Sequence, residues 1–506
     1  MPPFPTPAFL LVSVVSFVLL YLHRRRKNGL PPGPKGLPVL GNLFNAPTTF
    51  EWLAFQDWSR QYGTDVVHFE ILGTHFVVLN SAKAAEDLFE GRSSNYSDRP
   101  EAYMAQLTGW EKNSGLMRYG DTWRAHRRLF HRFFRASAVS TYHTSQATAV
   151  RDLLRDLRDK PDQWIRHIRF MAGSNILKII YGMELESVDD PRLDVIERSV
   201  KIFSRVTAAG AYLVDSFPIL RHVPAWFPGA QFKRDAAAWR PFVDEMHMFP
   251  YRAVKESFAS GDFEPCVLTE ILSEMGRIED ENERMGFEED VIGTMGTAYA
   301  AASDTTMLTI LNFVLAMLLY PHVQIAAQKA LEDAIGKDRL PEIGDKGAVP
   351  YITAVMNECL RWRPPLPLAL PHRSVADDEY NGFHIPAGSL VIGNAWAILH
   401  DPARYPNPGT FAPERFLDAD GTLRADVSEP LAAFGYGRRI CPGRHFAHDL
   451  VWLTIASVLA TINVVKAIDE HGNTVEPSGE YMSGTLSFPV PFQAEFKRRE
   501  HVDIPV

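Results

Sequence analysis

One cysteine and its surroundings, Phe434-Gly435-Tyr436-Gly437-Arg438-Arg439-Ile440-Cys441-Pro442-Gly443, constrain this chain more than any other feature. The cysteine sits on a glycine-rich turn just before an apolar stretch, Phe446 to Leu459, that reads as a helix. A helix N-terminus carries partial positive charge and unpaired N–H groups, and both stabilise a thiolate. Pro442 has no N–H to lose and suits the first helical position. Gly443 lets backbone approach the sulfur or a flat ligand closely. A thiolate so placed is a strong metal ligand. A single cysteine cannot complete a tetrahedral zinc or iron–sulfur site, but it can be the one axial protein ligand of a haem iron. The bland alternative is a buried free cysteine that merely packs.

The run resembles the haem-binding loop of the cytochrome P-450 family, Phe-x-x-Gly-x-Arg-x-Cys-x-Gly, at every fixed position. The resemblance implies haem b (iron protoporphyrin IX) with Cys441 as its metal ligand. It also implies Phe434 packed beside the thiolate, Gly437 making the turn, Arg439 reaching a haem propionate and Gly443 against the cofactor. Other segments match the family in its order. Trp123-Arg124-Ala125-His126-Arg127 places an indole and a guanidinium four residues apart on one helix face. It is similar to the family's Trp-x-x-x-Arg pair, which binds a propionate. Taken alone, such a pattern is as readily a solvated helix face. Arg128, Arg132 and Arg135 continue the basic run and suit either a solvated face or the docking of an acidic redox partner.

Gly286 to Leu319 is a long apolar run without proline, ended by Tyr320-Pro321. In its middle stands Ala301-Ala302-Ser303-Asp304-Thr305-Thr306, and an acid beside hydroxyls in an apolar helix needs a reason. A threonine hydroxyl can bond back to a carbonyl one turn earlier, which opens the helix locally and leaves a polar notch. The segment resembles the family's oxygen-activating motif, with Ala302 where glycine is usual. The resemblance implies that Asp304 and Thr305 are the catalytic pair, organising water and delivering protons. Glu358-Cys359-Leu360-Arg361 and Phe411-Ala412-Pro413-Glu414-Arg415-Phe416 resemble the family's Glu-x-x-Arg helix and its Phe-x-Pro-Glu-Arg-Phe segment. Glu358, Arg361 and Arg415 are then expected to form a buried network. Pro371-His372-Arg373 corresponds to the strand along the haem edge, with His372 or Arg373 at a propionate and Leu368 and Ala369 lining the pocket.

The fold class expected is mainly α with small β-sheets, a cytochrome P-450 fold preceded by one N-terminal transmembrane helix. Val66–Glu70 and His75–Leu79 read as a hairpin about Leu72-Gly73-Thr74, followed by a short helix over 82–89. The organisation expected is a membrane anchor over 1–23, a basic stop and proline-rich hinge over 24–42, and a catalytic domain over 43–506. Ala8 to Leu22 is apolar, and His23-Arg24-Arg25-Arg26-Lys27 follow it. A cleaved signal peptide carries its positive charge before the apolar run. A basic cluster after it belongs on the cytoplasmic side. The expectation is a single-pass protein of the endoplasmic reticulum membrane with a cytosolic catalytic domain, in which the Asn95-Tyr96-Ser97 sequon stays unmodified. The net charge of −9 argues against nucleic acid as a main partner, and three cysteines (Cys266, Cys359 and Cys441) are too sparse and odd a set for a disulfide framework.

The function implied is a haem-dependent monooxygenase inserting one oxygen atom of O2 into a lipophilic small molecule: a terpenoid, polyketide or aromatic secondary metabolite. The overall look is that of fungal secondary metabolism. No dinucleotide fingerprint or flavin motif is present, so electrons from NADPH are expected from a separate NADPH-cytochrome P-450 reductase. The alternatives are a haem-thiolate isomerase or dehydratase working without O2, or a non-catalytic haem-binding protein. Relatives of the first kind tend to lose the acid–Thr pair that this chain keeps, a sensor needs no proton relay, and an electron carrier needs no large substrate domain. Substrate-lining candidates are the loop from Ser97 to Leu116, the region from Ile202 to Phe227, Tyr299 and Ala300, and Met482 to Leu486, with Tyr103, Trp110, Phe217 and Trp226 as scattered aromatics.

Overall fold

The computed structural model describes residues 29–208, 210–427 and 429–500. The expected anchor, the basic cluster and the start of the hinge lie outside the described residues. The architecture is mostly helical with small sheets. Its axis is the helix Glu281–Leu319, hereafter the central helix. The run expected from Gly286 begins a turn earlier, because the Asp280 side chain accepts a hydrogen bond from the Glu283 N–H and caps the helix there. Its apolar residues do not fall on one stripe. From Val291 onward almost every side chain is buried, which is the pattern of a helix enclosed on all sides. Among the described residues it is the one helix long and apolar enough to cross a bilayer, yet it is surrounded by protein. Helices Trp164–Tyr181, Gln231–Ser260, Asp121–Phe134, Pro350–Trp362 and Arg444–Thr461 pack around it.

The sheets lie to one side. β1 (Val66–Ile71) and β2 (Thr74–Leu79) form the expected hairpin. Its two turn residues, Leu72 and Gly73, both take positive φ (50° and 84°), as a tight hairpin turn of this hand requires. The helix expected over 82–89 is α only through Ala85 and continues to Gly91 as a π-helix. β3 (His372–Arg373), β4 (Asp378–Tyr380), β5 (Phe383–Ile385) and β6 (Leu390–Gly393) follow, and β7 (Ile462–Val465) pairs with β8 (Glu495–Arg498). β6 runs parallel to β2 and antiparallel to β3, giving the order β1-β2-β6-β3. β3 thereby carries His372 to the edge of the central cavity.

The expected buried network is present. Arg361 Nε and Nη2 donate to the two oxygens of Glu358 at 2.6 and 2.8 Å, and Arg415 Nε donates to Oε1 at 3.1 Å. The Ala412 N–H donates to the same carboxylate at 2.8 Å. Arg361 spends its other N–H groups on the carbonyls of Leu399, Pro408 and Thr410. Both Glu358 and Arg361 are wholly buried, so the pair is tolerable only because every polar atom has a partner.

Candidate active site

A cavity of about 300 Å³ lies between the central helix and the cysteine loop, and its lining is mostly apolar. Cys441, Asp304, Thr305, His372, Arg439, Phe434 and Gly443 all line it, although they come from parts of the chain up to 139 residues apart (443 less 304). Trp123 and Arg127 stand just behind it.

The loop is held by backbone geometry. The Cys441 N–H donates to the Phe434 carbonyl at 2.8 Å, which closes the turn. Gly435 and Gly437 have φ of 83° and 52°, where a side chain is strained. At Gly437 a Cβ would also fall 2.1 Å from the Phe89 carbonyl oxygen. Gly443 differs, for a Cβ there meets nothing within 4 Å and its φ of −90° is ordinary. Protein packing does not require that glycine; the space beside it opens on the cavity. The following helix begins at Arg444 with Gly443 as its N-cap. Pro442 is therefore in the turn and not at the first helical position, because the chain needs two more residues to swing the sulfur inward. Burial pushes the Cys441 thiol up, while the Gly443 N–H and the Arg127 and Arg444 guanidiniums pull it down. Phe434 packs on His448 at 5.0 Å between rings.

Three basic groups meet at one edge. Arg439 donates from Nε to the Ser97 carbonyl (2.8 Å) and from Nη1 to that of Ser114 (3.2 Å), but its buried Nη2 has no partner. The guanidinium lies 4.4 Å over the Trp123 ring. Burial lowers its pKa to about 10. Arg99 is buried as well, with N–H groups on the carbonyls of Gly115, Leu370 and Pro371. Burial and the nearby Arg439 charge hold its pKa well down. His372 is buried against Phe89, 4.1 Å ring to ring, and its Nδ1 lies 2.6 Å from the Tyr96 carbonyl. A carbonyl only accepts, so Nδ1 carries the proton and Nε2 of the neutral ring is an acceptor. Donation from Nε2 to a carboxylate therefore requires the imidazolium. Asp98 is the acid nearest this cluster, and Arg118 and the Tyr119 N–H already bind it. Among the described residues, neither the Arg99 nor the Arg439 guanidinium hydrogen-bonds a carboxylate, and such a buried cationic edge fits an anionic ligand such as a pair of propionates.

Sequence reasoning missed Arg99, since an arginine before a proline carries no signal of burial. It also placed the Trp123–Arg127 pair more directly than the structure does. Trp123 supports Arg439, and Arg127 Nη1 donates to the Ile440 carbonyl at 2.7 Å, next to Cys441. Arg373 turns outward to Asp98, at 3.8 Å. Ala369 lines the cavity, whereas Leu368 packs in a separate cluster with Phe55 and Phe69.

Across the cavity, Thr305 Oγ1 donates to the Ala301 carbonyl at 2.6 Å, the expected bond to the preceding turn. The helix nevertheless stays α through 281–319, so this bond does not open it. Asp304 is buried, and that raises its carboxyl to about 6 against the pull of Arg169. Arg169 Nε is 3.9 Å from Asp304, and its Nη1 pairs with Glu197 at 2.7 Å. Each of the substrate-lining candidate segments reaches the cavity, through Arg99, Trp110 and residues 113–115, through Phe203, and through Ala300 and Leu486, whereas Tyr299 does not line it. Phe217 and Trp226 are exposed, because the segment carrying them folds over the outside.

A thiol on a loop, an acid–hydroxyl pair and a cationic edge all face one cavity, as the family resemblance implies. Comparison with known proteins agrees. The family profile described as Cytochrome P-450 matches residues 31–491. A cytochrome P-450 monooxygenase of Armillaria gallica is 41% identical over 499 residues, covering 97% of each chain. One from Rhodocybe pseudopiperita is 39% identical, covering 94% of this chain and 91% of its own. The tryptamine 4-monooxygenase of Psilocybe cyanescens is 38% identical over 97% of both. The chain belongs to the cytochrome P-450 family. It is a haem monooxygenase, and the family binds iron protoporphyrin IX through a cysteine thiolate.

The two glycines make a paired prediction. Gly437→Ala should destabilise the protein itself, by about 1–2 kcal/mol from the backbone alone and more from the clash with Phe89. Gly443→Leu should leave thermal unfolding of the haem-free protein unchanged while blocking haem uptake, measured by absorbance on reconstitution.

Proposed function

We propose that Cys441 supplies the haem thiolate, that Arg439, Arg99 and the Trp123–Arg127 pair secure the propionate edge, and that Asp304 and Thr305 deliver protons. The observation that carries this reading is the convergence of Cys441 and the Asp304–Thr305 pair on one cavity. Haem held there by the Cys441 thiolate would supply oxygen activation and one-electron chemistry. The residues do the rest. The apolar walls exclude bulk water and hold an apolar substrate. Asp304, with its carboxyl near 6, holds a transferable proton close to neutral pH, and Arg169, paired with Glu197, faces it as a fixed positive charge. Thr305 Oγ1 fixes the position of the water or hydroxyl that the proton must reach.

The substrate is proposed to be a lipophilic secondary metabolite and the electron donor an NADPH-cytochrome P-450 reductase. Arg128, Arg135 and Arg438 are exposed and suit an acidic partner, whereas Arg132 is tied to Glu270 and Glu274. Membrane attachment at the endoplasmic reticulum is part of the proposal. Ile219 and Trp226 are 73% and 78% exposed, and apolar side chains so bare suit a bilayer surface. The Asn95 amide is already used by the Ala376 carbonyl and the Val375 and Ala376 N–H groups, which agrees with an unmodified sequon.

The test is reconstitution with reductase, NADPH and a lipophilic substrate. Thr305→Ala should keep haem and substrate binding but divert NADPH into peroxide. Asp304→Asn should slow product formation by about tenfold or more. The sign of the pH dependence follows from the acid form being the donor. In the wild type, product per NADPH should rise as pH falls from 8 toward 6, and Asp304→Asn should flatten that profile. Unchanged rate and coupling in both variants would remove the relay, and product formed without oxygen or reductase would favour the isomerase alternative.

A further inference from the structure

We propose that Glu197 is a positioning residue for the proton donor: it holds the Arg169 guanidinium and keeps that cation from closing on Asp304, which is thereby left free to carry a proton. The proposal rests on Asp304 as the donor in the monooxygenase reading and adds the residues that keep the donor charged with its proton.

Three helices meet at this point. Arg169 comes from Trp164–Tyr181, Glu197 from Pro191–Val206 and Asp304 from the central helix. Gly173, one turn on from Arg169, marks their close approach. A Cβ there would lie 3.1 Å from a Leu193 methyl and 3.4 Å from Ser303 Oγ. Arg169 therefore faces both carboxylates from one backbone position. Its Nη1 pairs with Glu197 Oε2 at 2.7 Å, whereas its Nε stands 3.9 Å from Asp304 Oδ1, too far for a hydrogen bond. That Nε is buried and donates to nothing among the described residues. The guanidinium thus has an unused donor beside a carboxylate, because Glu197 holds its other end. Lys201 Nζ donates to the second Glu197 oxygen at 2.6 Å and fixes that side chain in turn.

Burial raises the Asp304 carboxyl to about 6. Arg169 and Lys201 pull it down and Glu197 pushes it up, and these are the charged groups that act on it. Burial pushes Glu197 up as well, but Lys201 and Arg169 outweigh it and hold that carboxyl below its usual range, so Glu197 stays ionised. An arginine in direct contact lowers an aspartate by about 1–3 pH units. Closure of Arg169 on Asp304 would therefore leave an ionised acceptor at neutral pH in place of a proton donor. With the cation kept at a distance, the proton stays available.

The infrared carboxyl band of Asp304, identified by its loss in Asp304→Asn, can be titrated in the reduced, carbon monoxide-bound holoenzyme. Glu197→Gln is isosteric and should lower the midpoint by about 1–3 pH units as Arg169 closes on Asp304. Each pH unit lost cuts the protonated fraction at neutral pH about tenfold. Glu197→Asp keeps the charge but not the reach and should lower the midpoint too. Arg169→Gln should raise it, and the double variant should stay high, because Glu197 acts through Arg169. The proposal is overturned if either Glu197 variant keeps the wild-type midpoint or if Arg169→Gln fails to raise it. It is equally overturned if Glu197→Gln lowers the midpoint as much without Arg169 as with it, since Glu197 would then act by its own charge. Product per NADPH on the same variants reports separately on the relay. Midpoints that move as expected with unchanged coupling would keep the positioning role and remove Asp304 as the donor.

Discussion

Cys441→Ala is expected to abolish both the red-shifted carbon monoxide spectrum of thiolate-bound haem and all turnover, while leaving a folded protein. The thiol occupies a half-buried position on a loop closed by its own N–H to the Phe434 carbonyl, and alanine keeps that N–H. The loss is therefore chemical. No other cysteine can substitute, because Cys359 is buried beside Glu358 and its thiol is pushed well up by burial, and Cys266 caps a distant helix. Circular dichroism of the variant checks the fold, and the carbon monoxide difference spectrum checks the ligand. A variant that kept the thiolate spectrum would show that Cys441 is not the ligand.

Glu358→Gln should be the most damaging single change to stability. Glu358 accepts four hydrogen bonds, from Arg361 twice, Arg415 and the Ala412 N–H, and none of its surface reaches solvent. Removing the charge leaves the Arg361 guanidinium buried without a counter-ion, and breaking such a pair costs about 3–5 kcal/mol. That is a large share of the roughly 5–15 kcal/mol that holds a typical domain together. The denaturant midpoint should fall steeply and haem recovery with it. The exposed pair Lys83–Asp87, at 2.8 Å, is the control, because Lys83→Ala should leave the midpoint where it is. A Glu358→Gln midpoint equal to the wild type would mean that the network is not holding the core.

Both predictions use residues whose importance was visible in the sequence through motif spacing. The chemistry of the cysteine loop, the acid–hydroxyl pair and the Glu–Arg helix are each written within ten residues. Local rules suffice there: glycine where φ is positive, residues three apart on one helix face, a hydroxyl within reach of the preceding turn. The same holds for the β1–β2 hairpin, whose turn chemistry lies in Leu72-Gly73. Errors arose where an element's limits depend on its neighbours. The cysteine-loop helix starts at Arg444, the stretch after Ala85 loosens into a π-helix, and Thr305 bonds back without breaking its helix.

The sequence alone determined the class of chemistry, because one thiol, one acid–hydroxyl pair and a buried ion network are short-range patterns. Tertiary structure decided which groups meet. It brought Arg99 to Arg439, a distance of 340 residues along the chain (439 less 99) that no periodicity encodes. It turned Trp226 outward and Trp110 inward although both are tryptophans in candidate lining segments. It buried Asp304, which raises that carboxyl to about 6 against the pull of Arg169. The physical reason is that burial and long-range charge are properties of packing. A side chain's neighbours in space set its solvation, its pKa and its free hydrogen-bonding capacity, and those neighbours come from the folding of the whole chain.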